Sequence, residues 1–373
     1  MINFNLNEQT PNIIKVIGVG GGGGNAVEYM YEQGIYAVDF VICNTDQQVL
    51  KNSPIPNKIL MGEELTEGLG AGNNPQIGRQ AAENSKDKLV DILSKNTKMA
   101  FITATLGGGT GTGAAPVVAE LAQGLGILTV GIVAVPERSE GEKRVSQAAE
   151  GLKELKKHVD CLIVIDNENI SRIYDELPVS EGFNKANEVL NTAAKGIAEI
   201  ITLPGYVNVD FADVKTVMTD GGVAIMGAAT ASGEGRATRA ISEALESPLL
   251  NNSDILGARD ILLNITSGTE EVTTNEMTEI TSYILRKVGN NAAVIWGVGT
   301  DMNLGDALSV TIIATGFPET EIDLMREGVQ DRKGNEEIIL TEGEVLLRPD
   351  LSEAQIRELE EVPAYERRDL RIN

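Results

Sequence analysis

Two glycine-rich segments carry the residue types that hold phosphate in proteins. The first is Gly107-Gly108-Gly109-Thr110-Gly111-Thr112-Gly113, with five glycines in seven positions, and a helix is predicted after it at 114–123. Backbone N–H groups without side chains around them can approach an anion closely, and a helix N-terminus adds unpaired donors and a favourable dipole. Thr110 and Thr112 add hydroxyl donors without charge. The pattern predicts a phosphate cradle, with a tight turn packed against a sheet as the alternative.

The second glycine-rich segment is Gly18-Val19-Gly20-Gly21-Gly22-Gly23-Gly24-Asn25. It lies between a predicted buried strand at 13–19 and a predicted helix at 26–33. Strand, glycine loop and helix in this order bind phosphate in doubly wound sheets. The two segments therefore predict an α/β fold in which glycine loops leave the carboxyl ends of parallel strands.

The GxGxxG pattern within the second segment also occurs in dinucleotide-binding dehydrogenases. That fold needs an acidic residue at the far end of the second strand to hold a ribose. Asp39 has the right spacing but begins the predicted strand at 40–43. The end of that strand is followed by Asn44-Thr45-Asp46, a polar trio suited to ribose or phosphate contacts. One mononucleotide held by two glycine loops explains more of the sequence than a nicotinamide cofactor does.

Neutralisation of phosphate charge has to come from outside the glycine loops. The chain has no GxxxxGK[ST] motif, so the lysine-containing P-loop is excluded. No cationic side chain lies in the 107–113 segment, and a metal ion bound to the phosphates is the predicted neutraliser. Within a loop expected over 51–75, Gly68-Leu69-Gly70-Ala71-Gly72 predicts a further backbone approach to the ligand or a plain turn.

The composition disfavours several classes of partner. The chain of 373 residues has 31 basic and 55 acidic residues, and its net charge of −24 repels nucleic acid and anionic lipid. Cys43 and Cys161 lie in apolar, strand-like runs and predict buried, reduced thiols. The single His158 disfavours a histidine triad or a zinc site. No apolar run approaches the roughly 18 residues that span a bilayer, so a cytoplasmic protein is expected.

Side chains suited to a base and a sugar follow later in the chain. A charged helix is predicted to begin near Glu140, and Arg144 could pair with a ligand or with Glu140 one turn earlier. A mostly apolar helix is predicted over 180–203, with Ser180 as its N-cap, and would form a spine joining two domains. On this helix, Phe183 and Asn187 share a face, so the ring could stack on a base while the amide hydrogen-bonds it. The alternative is that Phe183 packs in the core and the Asn187 amide is solvated.

Acidic residues after the spine add a third kind of chemistry. Asp210 and Asp213 could bind a cation or polarise a water, and capping of a helix at 214–218 is the alternative. The second half of the chain has no glycine phosphate loop, which predicts a structural or partner-binding domain with Trp296 in its core. Residues 319–361 hold 14 acidic and 5 basic residues, which predicts a disordered linker.

Five motifs stand in the order typical of a known family. GVGGGGGNAV at 18–27, NTD at 44–46, GLGAG at 68–72, GGGTGTG at 107–113 and NVDFAD at 208–213 resemble the FtsZ family of bacterial tubulin-like cell-division GTPases. The resemblance spans roughly residues 12–318 plus the terminal peptide. It implies a tubulin/FtsZ-like α/β fold with a Rossmann-like parallel-sheet GTPase domain, a central spine helix and a smaller α/β activation domain. The implied segments are a flexible N-terminus at 1–12, the GTP-binding domain at 13–178, the central helix at 179–205, the activation domain at 206–318, the linker at 319–361 and a docking peptide at 362–373.

The resemblance also implies which residues contact the nucleotide. The phosphates would be held by Gly20, Gly21, Gly22, Gly107, Gly108, Gly109, Thr110, Gly111, Thr112 and Gly113. Glu140 and Arg144 would lie near the ribose, Asn167, Phe183 and Asn187 would contact guanine, and Asn25, Asn44, Asp46, Ala71 and Gly72 would complete the site. Asn208, Asp210 and Asp213 would act on the GTP of the neighbouring subunit and position the attacking water.

The function implied by the resemblance is assembly-activated GTP hydrolysis. Subunits would polymerise head to tail into filaments and form the contractile Z ring at the division site, recruiting other division proteins. Mg²⁺ would bind the phosphates, and K⁺ is a further ion for the subunit interface. The terminal peptide 362–373 would dock on a membrane-tethering protein such as FtsA, which places the chain on the inner face of the membrane at midcell without direct membrane insertion or nucleic-acid binding.

Three positions depart from the family pattern. Asp166 stands where the family usually has Pro, and Glu137-Arg138-Ser139 replaces a stretch that often carries an aromatic residue. In the terminal peptide Glu366 replaces the usual apolar residue after the aromatic one. The competing hypotheses are a nucleotide-gated scaffold with incidental hydrolysis and a Rossmann dehydrogenase.

Overall fold

The structure is a computed structural model that describes residues 12–174, 177–202, 205–246, 255–289 and 292–317, without the side chains of residues 179, 180 and 183. All of these residues belong to one compact unit within residues 1–324. The predicted linker and docking peptide lie outside the described residues, as do residues 1–11 of the predicted N-terminal segment. Within the described ranges, no helix has both the length and the apolar character needed to cross a bilayer.

The first half of the chain alternates strands and helices. Its elements are β1 (Ile14–Val19), α1 (Gly20–Glu32), β2 (Val38–Asn44), α2 (Gln47–Asn52), β3 (Asn57–Leu60), α3 (Glu63–Thr66), α4 (Pro75–Glu83), α5 (Lys86–Ser94), β4 (Met99–Thr105), α6 (Thr110–Gly124), β5 (Leu128–Val135), α7 (Glu142–Lys156), β6 (Cys161–Asp166) and α8 (Asn167–Ile173). The strands are parallel and lie in the order β3-β2-β1-β4-β5-β6. This is the doubly wound order, in which the direction of winding reverses between β1 and β4.

The second half extends the same sheet. Its elements are α9 (Val179–Thr202), α10 (Phe211–Met218), β7 (Gly222–Ser232), α11 (Arg236–Leu245), β8 (Asp260–Ser267), α12 (Thr274–Val288), β9 (Ala293–Thr300) and β10 (Ala307–Thr315). The start of β7 pairs parallel with β6, and the rest of β7 pairs antiparallel with β10, so the order continues β7-β10-β8-β9. The predicted α/β fold with a parallel sheet in the first half and a second α/β part is therefore confirmed.

Helix α9 contributes buried side chains to a hydrophobic core that is shared by the two halves. Its buried side chains recur at helical spacing, as in Leu190, Ala194 and Ile197, and lie in one cluster with strand residues of both halves. Gly196 lets the helix approach the second half, because a Cβ at this position would lie 3.1 Å from both Met226 Cε and Thr311 Cγ2. The predicted spine helix is confirmed, although it begins at Val179, which places Ser180 inside the first turn instead of at the N-cap.

Local structure differs from the sequence-based expectation in three further places. Residues 77–94, whose amphipathic pattern predicts one helix, lie in two helices, α4 and α5, separated at Ser85, whose hydroxyl oxygen accepts a hydrogen bond from Gly62 N–H at 3.0 Å. The loop expected over 51–75 contains β3 and α3. Strand β7 was not predicted, because its small residues GVAIMGAATAS show no clear alternation of polar and apolar side chains.

Trp296 is the clearest error in the predicted core. Its side chain is 37% exposed, because β9 pairs only with β8 among the described strands and lies at the edge of the sheet. The apolar pattern around Trp296 reflects strand propensity, which aromatic residues share on exposed edges as well as in cores.

Candidate functional site

The two glycine-rich segments leave the sheet side by side, where the strand order reverses. β1 and β4 are parallel neighbours, with Val19 opposite Ala104. Each segment is already helical in part, since α1 begins at Gly20 and α6 begins at Thr110, not at the predicted residues 26 and 114. The first turns of two helices therefore face one crevice at the carboxyl edge of the sheet, the usual ligand position in this class of fold.

Neither helix is capped by a side chain. Val19 and Gly109 occupy the N-cap positions and make no side-chain cap hydrogen bond. By contrast, Asp46 caps α2 and Asn74 caps α4. First-turn N–H groups that no side chain satisfies, at two neighbouring helix N-termini, provide donors for an anion. The geometry suits a phosphate chain bound by backbone groups.

Close packing explains why glycines begin these helices. A Cβ at Gly20, whose φ is 78°, would lie 2.8 Å from a backbone nitrogen of the other glycine segment, and one at Gly22 would lie 2.2 Å from Thr105 Oγ1. No atom lies within 4 Å of the Cβ positions of Gly21 and Gly108. Gly20 and Gly22 are therefore required by packing, whereas Gly21 and Gly108 border open space.

The threonines of the second segment have different environments. Thr110 Oγ1 lies 2.7 Å from Thr45 Oγ1, which brings the end of β2 to the start of α6. Thr112 is 3% exposed, and its oxygen accepts a hydrogen bond from Gly107 N–H at 2.8 Å. The Thr112 side chain thus closes the loop, and Thr110 lies nearer the crevice. Thr45 belongs to the polar trio at 44–46 that the sequence suggested for ribose or phosphate contacts, but its contact with Thr110 was not predicted.

The 68–72 segment packs against the same loop. A Cβ at Gly109 would lie 3.0 Å from Ala71 Cβ, and Gly70 N–H donates to Thr45 O at 3.1 Å. Gly72 has a φ of 57°, and no atom lies within 4 Å of its Cβ position. The segment is therefore a close backbone approach beside the crevice, with glycine at the positions of positive φ, and not a plain solvent turn.

Polar side chains at the end of β2 mainly accept hydrogen bonds from nearby backbone N–H groups. Asn44 Oδ1 accepts from Thr45 N–H at 2.8 Å, and Asp46 Oδ1 accepts from two N–H groups at the start of α2. Asp39 lies at the opposite end of this strand and pairs with Lys15 at 2.9 Å. The acid beyond the carboxyl end of β2, Asp46, thus caps α2, and Asp39 lies at the other end of the strand, which argues against a dehydrogenase.

Glu140 and Arg144 lie at the start of α7, beside the second glycine segment. Arg144 Nη1 donates to Glu140 Oε2 at 2.5 Å, so the pairing of Arg144 with Glu140 is the one observed. A Cβ at Gly107 would lie 3.1 Å from Arg144 O. The ion pair is therefore held next to the crevice and remains partly exposed.

A pocket of about 470 Å³ continues from the first glycine segment toward α9. Gly22, Asn25, Asn167 and Asn187 line it. Asn167 Oδ1 is buried and has no hydrogen-bond partner among the described residues, an arrangement that is costly unless a ligand supplies a donor. Phe183 lies on the same helix as Asn187, and its side chain is outside the described residues.

Two of the three departures from the family pattern, Asp166 and the 137–139 stretch, lie next to each other beside this pocket, and Glu366 lies outside the described residues. Asp166 is the N-cap of α8 and accepts from Glu168 N–H at 2.9 Å; burial raises the pKa of this carboxyl group. Arg138 contacts Glu168 at 3.5 Å, and Ser171 hydrogen-bonds Glu137. The replaced residues thus pair with α8 and stabilise the loop that precedes α7.

Asn208, Asp210 and Asp213 lie far from this crevice within the chain. Asn208 Oδ1 accepts from Gly205 N–H at 2.6 Å. Asp210 and Asp213 form a capping box at the start of α10, in which each carboxylate accepts from the other residue's N–H, at 2.9 and 3.1 Å. Helix capping is therefore observed, with Asp210 as the N-cap, and one oxygen of each carboxylate has no hydrogen bond within the described residues.

No metal cluster is seen in the part of the chain that the structure describes, where no group of three or more His, Cys, Asp or Glu residues is arranged to bind an ion.

Both cysteines are buried and free, as predicted, and burial raises the pKa of each thiol to about 12. Thiolate chemistry at neutral pH is therefore excluded for both.

Fold and site together define a nucleotide-binding protein of the doubly wound class that holds its ligand with glycine-rich helix starts. The Tubulin/FtsZ family, GTPase domain, matches residues 13–175, and the FtsZ family, C-terminal domain, matches residues 222–318. The cell division protein FtsZ of Porphyromonas gingivalis is 47% identical over 340 residues, covering 90% of this chain and 74% of that protein. That of Buchnera aphidicola subsp. Baizongia pistaciae is 48% identical over 306 residues, covering 82% and 79%.

Solved structures give the same answer. An empty FtsZ dimer from M. jannaschii has a TM-score of 0.77 at 43% identity, covering 83% of this chain and 89% of that chain. A GTPγS-bound CetZ2 protofilament from Haloferax volcanii shares the fold, with a TM-score of 0.70 at 21% identity over 86% and 99% of the two chains. The chain therefore belongs to the Tubulin/FtsZ family, in its FtsZ branch, and is a GTPase.

Proposed function

We propose that the chain is a cell-division GTPase whose active site is completed between two copies. One copy holds GTP at the glycine-rich crevice, and the next copy supplies Asn208, Asp210 and Asp213. This is head-to-tail assembly, and it makes hydrolysis depend on filament formation. Two similar solved structures support assembly between copies, because the FtsZ structure is a dimer and the CetZ2 structure is a protofilament.

The observation that carries this proposal is the separation of acids and phosphate donors within one chain. Asn187 lines the pocket, and α9 ends at Thr202, fifteen residues further. At 1.5 Å per residue this is about 22 Å. The end of α10 also lies at the opposite edge of the sheet: Thr315 Oγ1 donates to Val217 O, and Gly222 N–H donates to the carbonyl of Asp160, just before β6 begins. The acids therefore cannot reach GTP bound in their own chain.

Each region has a distinct task in the proposed reaction. Backbone N–H groups of Gly20, Gly21 and Gly22 and of residues 107–113 bind the phosphates, with the Thr110 hydroxyl beside them. The uncommitted carboxylate oxygens of Asp210 and Asp213 orient the attacking water of the neighbouring site and accept its proton. Because the capping box fixes both carboxylates, they are positioned before the neighbour arrives.

The base and sugar contacts rest on the pocket and its rim. Asn167 Oδ1, buried without a partner among the described residues, accepts an N–H of guanine, and Asn25, Phe183 and Asn187 complete the base site. Glu140 and Arg144 lie at the sugar. Asn44, Asp46, Ala71 and Gly72 border the phosphates through the segments that pack on the second glycine loop.

Mg²⁺ fits this site because backbone donors alone leave phosphate charge uncompensated. Oxygen atoms suited to it lie beside the crevice in the Thr45–Thr110 hydroxyl pair and the Asp46 carboxylate. The ion would neutralise phosphate oxygens. K⁺ would bind at the subunit interface, where Asn208 and Asp210 are exposed and carry oxygen ligands.

The cellular part of the proposal follows from the relatives named as cell division proteins. The GTP-binding domain at 13–178, the central helix at 179–205 and the activation domain at 206–318 would polymerise into the Z ring on the cytoplasmic face of the membrane at midcell. Residues 362–373, carried by the acidic segment 319–361, would dock on a tethering protein such as FtsA and help recruit other division proteins.

Mixing two inactive variants tests the shared site directly. Gly108→Asp places a negative charge at an open position of the phosphate site, and Asp213→Asn removes a catalytic carboxylate while keeping the capping acceptor. Each variant alone is expected to hydrolyse little GTP. The mixture should exceed the mean of the two, because a Gly108→Asp copy presents its acids to GTP held by an Asp213→Asn copy. Phosphate release is the readout.

The matched control mixes Gly108→Asp with Gly21→Asp, both defective in binding and both with intact acids. This mixture is expected to stay at the mean of its components. Recovery in neither mixture, with both proteins folded and co-sedimenting in filaments, would refute a site shared between copies.

A further inference from the structure

A second pocket, of about 690 Å³, lies at the edge of the sheet opposite the glycine-rich crevice. Its charged lining consists of four lysines and two aspartates: Lys15, Lys58, Lys88, Lys95, Asp39 and Asp91. Lys15 and Asp39 are near the amino ends of β1 and β2, and Lys58 is on β3. We refer to these six residues as the lysine pocket. Its volume is in the range of small-molecule sites, about 300–1,000 Å³.

The lysine pocket is separate from the nucleotide site. Lys15 and Gly20 are five residues apart along β1 and the start of α1. At about 3.3 Å per residue, the length of the strand places them roughly 17 Å apart, at its two ends. A ligand in the lysine pocket therefore cannot be the GTP bound at the glycine-rich crevice.

Hydrogen-bond donors outnumber available acceptors in the pocket. Each oxygen of Asp39 already accepts one hydrogen bond, Oδ1 from Asn12 Nδ2 at 2.8 Å and Oδ2 from Lys15 Nζ at 2.9 Å. The Lys15 side chain is only 7% exposed, and the Asp39 contact uses one of the three donors of its ammonium group. Lys88 has no hydrogen-bond or ion-pair partner among the described residues.

The other two lysines are also incompletely satisfied. Lys58 Nζ donates to Ser53 O at 2.6 Å, and Lys95 Nζ pairs with Asp91 Oδ2 at 2.6 Å. Each contact again uses one donor of three. The lysine pocket thus carries an excess of two positive charges and several spare donors in a chain whose net charge is −24. Such a pocket needs an acceptor-rich ligand.

We propose that the lysine pocket binds a small phosphorylated anion with at least two negative charges. A phosphate group can enter the concavity and reach the nearly buried Lys15, which a flat acidic surface of a second copy cannot do. No aromatic side chain of the described residues lines the pocket, so recognition rests on phosphate oxygens and not on stacking of a base. Ile59, Leu60 and Ile92 provide an apolar wall for a short carbon skeleton.

Calorimetric titration of the full chain with inorganic pyrophosphate tests the proposal. GDP is kept saturating so that the glycine-rich crevice is occupied, and divalent cations are omitted so that pyrophosphate is not complexed. One binding event is expected for the wild type, weakened by added KCl. Lys58→Ala combined with Lys88→Ala should lower the affinity about a hundredfold, because each substitution removes one charge-assisted hydrogen bond and each such bond contributes roughly tenfold.

The matched control is Lys153→Ala combined with Lys156→Ala, two exposed lysines on α7. It removes the same charge and should bind pyrophosphate like the wild type. A GDP affinity equal to that of the wild type would show that both double variants are folded. Absence of pyrophosphate binding to the GDP-saturated wild type overturns the proposal, and so does an equally weakened affinity in the control. If the Lys58/Lys88 variant changes only filament bundling, the pocket is a contact between copies and the proposal is wrong.

Discussion

In the proposed function, the glycine-rich crevice and the acidic segment at 208–213 serve one reaction by opposite means. The crevice uses backbone donors, and most of its glycines are fixed by packing, as the 2.2 Å approach of a Cβ at Gly22 to Thr105 Oγ1 shows. The acidic segment uses exposed carboxylates that a single capping box holds on a short helix. In the crevice, binding and folding depend on the same atoms, whereas in the acidic segment the chemistry is separable from the fold.

The largest expected effect comes from a substitution in the acidic segment. Asp213→Asn keeps an oxygen that accepts from Asp210 N–H but loses the carboxylate charge needed to activate water. Steady-state GTP turnover should fall roughly 10²- to 10⁴-fold, the usual contribution of a general base. GDP affinity and the thermal midpoint should stay close to those of the wild type, because Asp213 is remote from the nucleotide of its own chain.

The control for this variant is Asp87→Asn, an exposed acid in the first turn of α5. It changes the net charge equally and should leave turnover intact. A weakened GDP affinity in Asp213→Asn would instead place the acid in its own chain's site and remove the distinction between the two regions.

The next effect concerns stability on the glycine side. Gly113→Ala puts a Cβ 1.9 Å from Pro75 O, a backbone atom that cannot move alone. Overpacking of this kind should lower the free energy of unfolding by about 1–3 kcal/mol or more. Gly108→Ala meets no atom within 4 Å and should keep the thermal midpoint while weakening GDP binding. Thermal unfolding followed by circular dichroism, with fluorescence titration of GDP, separates the two variants; equal midpoints would contradict the packing argument.

The comparison also explains which parts could be predicted from sequence. The crevice was predicted because its signal is local, with five glycines in the seven residues 107–113 after an apolar strand. The start of α1 at Gly20 was not, because glycine is a poor helix former and only contacts with Thr105 and the other glycine segment hold it there. The break at Ser85 has the same origin, a hydrogen bond from Gly62, 23 residues away.

Site residues followed the same rule. Asp210 and Asp213 were singled out as candidates because they are acids in a short motif, and their catalytic role stays a prediction; their capping box depends on backbone geometry that the spacing alone left open. The contact of Thr45 with Thr110 was not predicted, since it joins residues 65 positions apart. The lysine pocket has no local pattern at all, because its residues come from three strands and a helix.

A smaller effect is expected from the base pocket. Asn167→Ala removes a buried oxygen that has no partner among the described residues, so it should weaken GTP binding about tenfold or more while leaving the unfolding free energy nearly unchanged. Competition binding with GTP and ATP should show reduced discrimination between the two bases. Asn169→Ala, two residues along α8, provides a matched amide control outside the pocket lining. A large drop in stability with unchanged base selectivity would mean that Asn167 serves only the fold.

The smallest effect is a pH dependence at the rim of the same pocket. Burial raises the pKa of Asp166, so the folded state holds its proton more tightly than the unfolded state does. The carboxyl group therefore contributes most to stability below its ordinary pKa of about 3.9, and this contribution is lost as the pH rises through the higher folded pKa. Asp166→Asn keeps the oxygen that caps α8 and never carries the buried charge.

The stability gain of Asp166→Asn over the wild type should accordingly be smallest at the acid end and grow toward neutral pH. Thermal midpoints measured for both proteins from pH 4.5 to 7.5 give this difference directly. The opposite slope, with the variant losing stability toward neutral pH, would mean that the charged carboxylate is favoured at the N-cap by the helix dipole. The charge of Asp166 would then favour the folded state, as the proposed mechanism requires a charge on Asp210 and Asp213. It would differ from the glycine segments, which bind through neutral backbone groups.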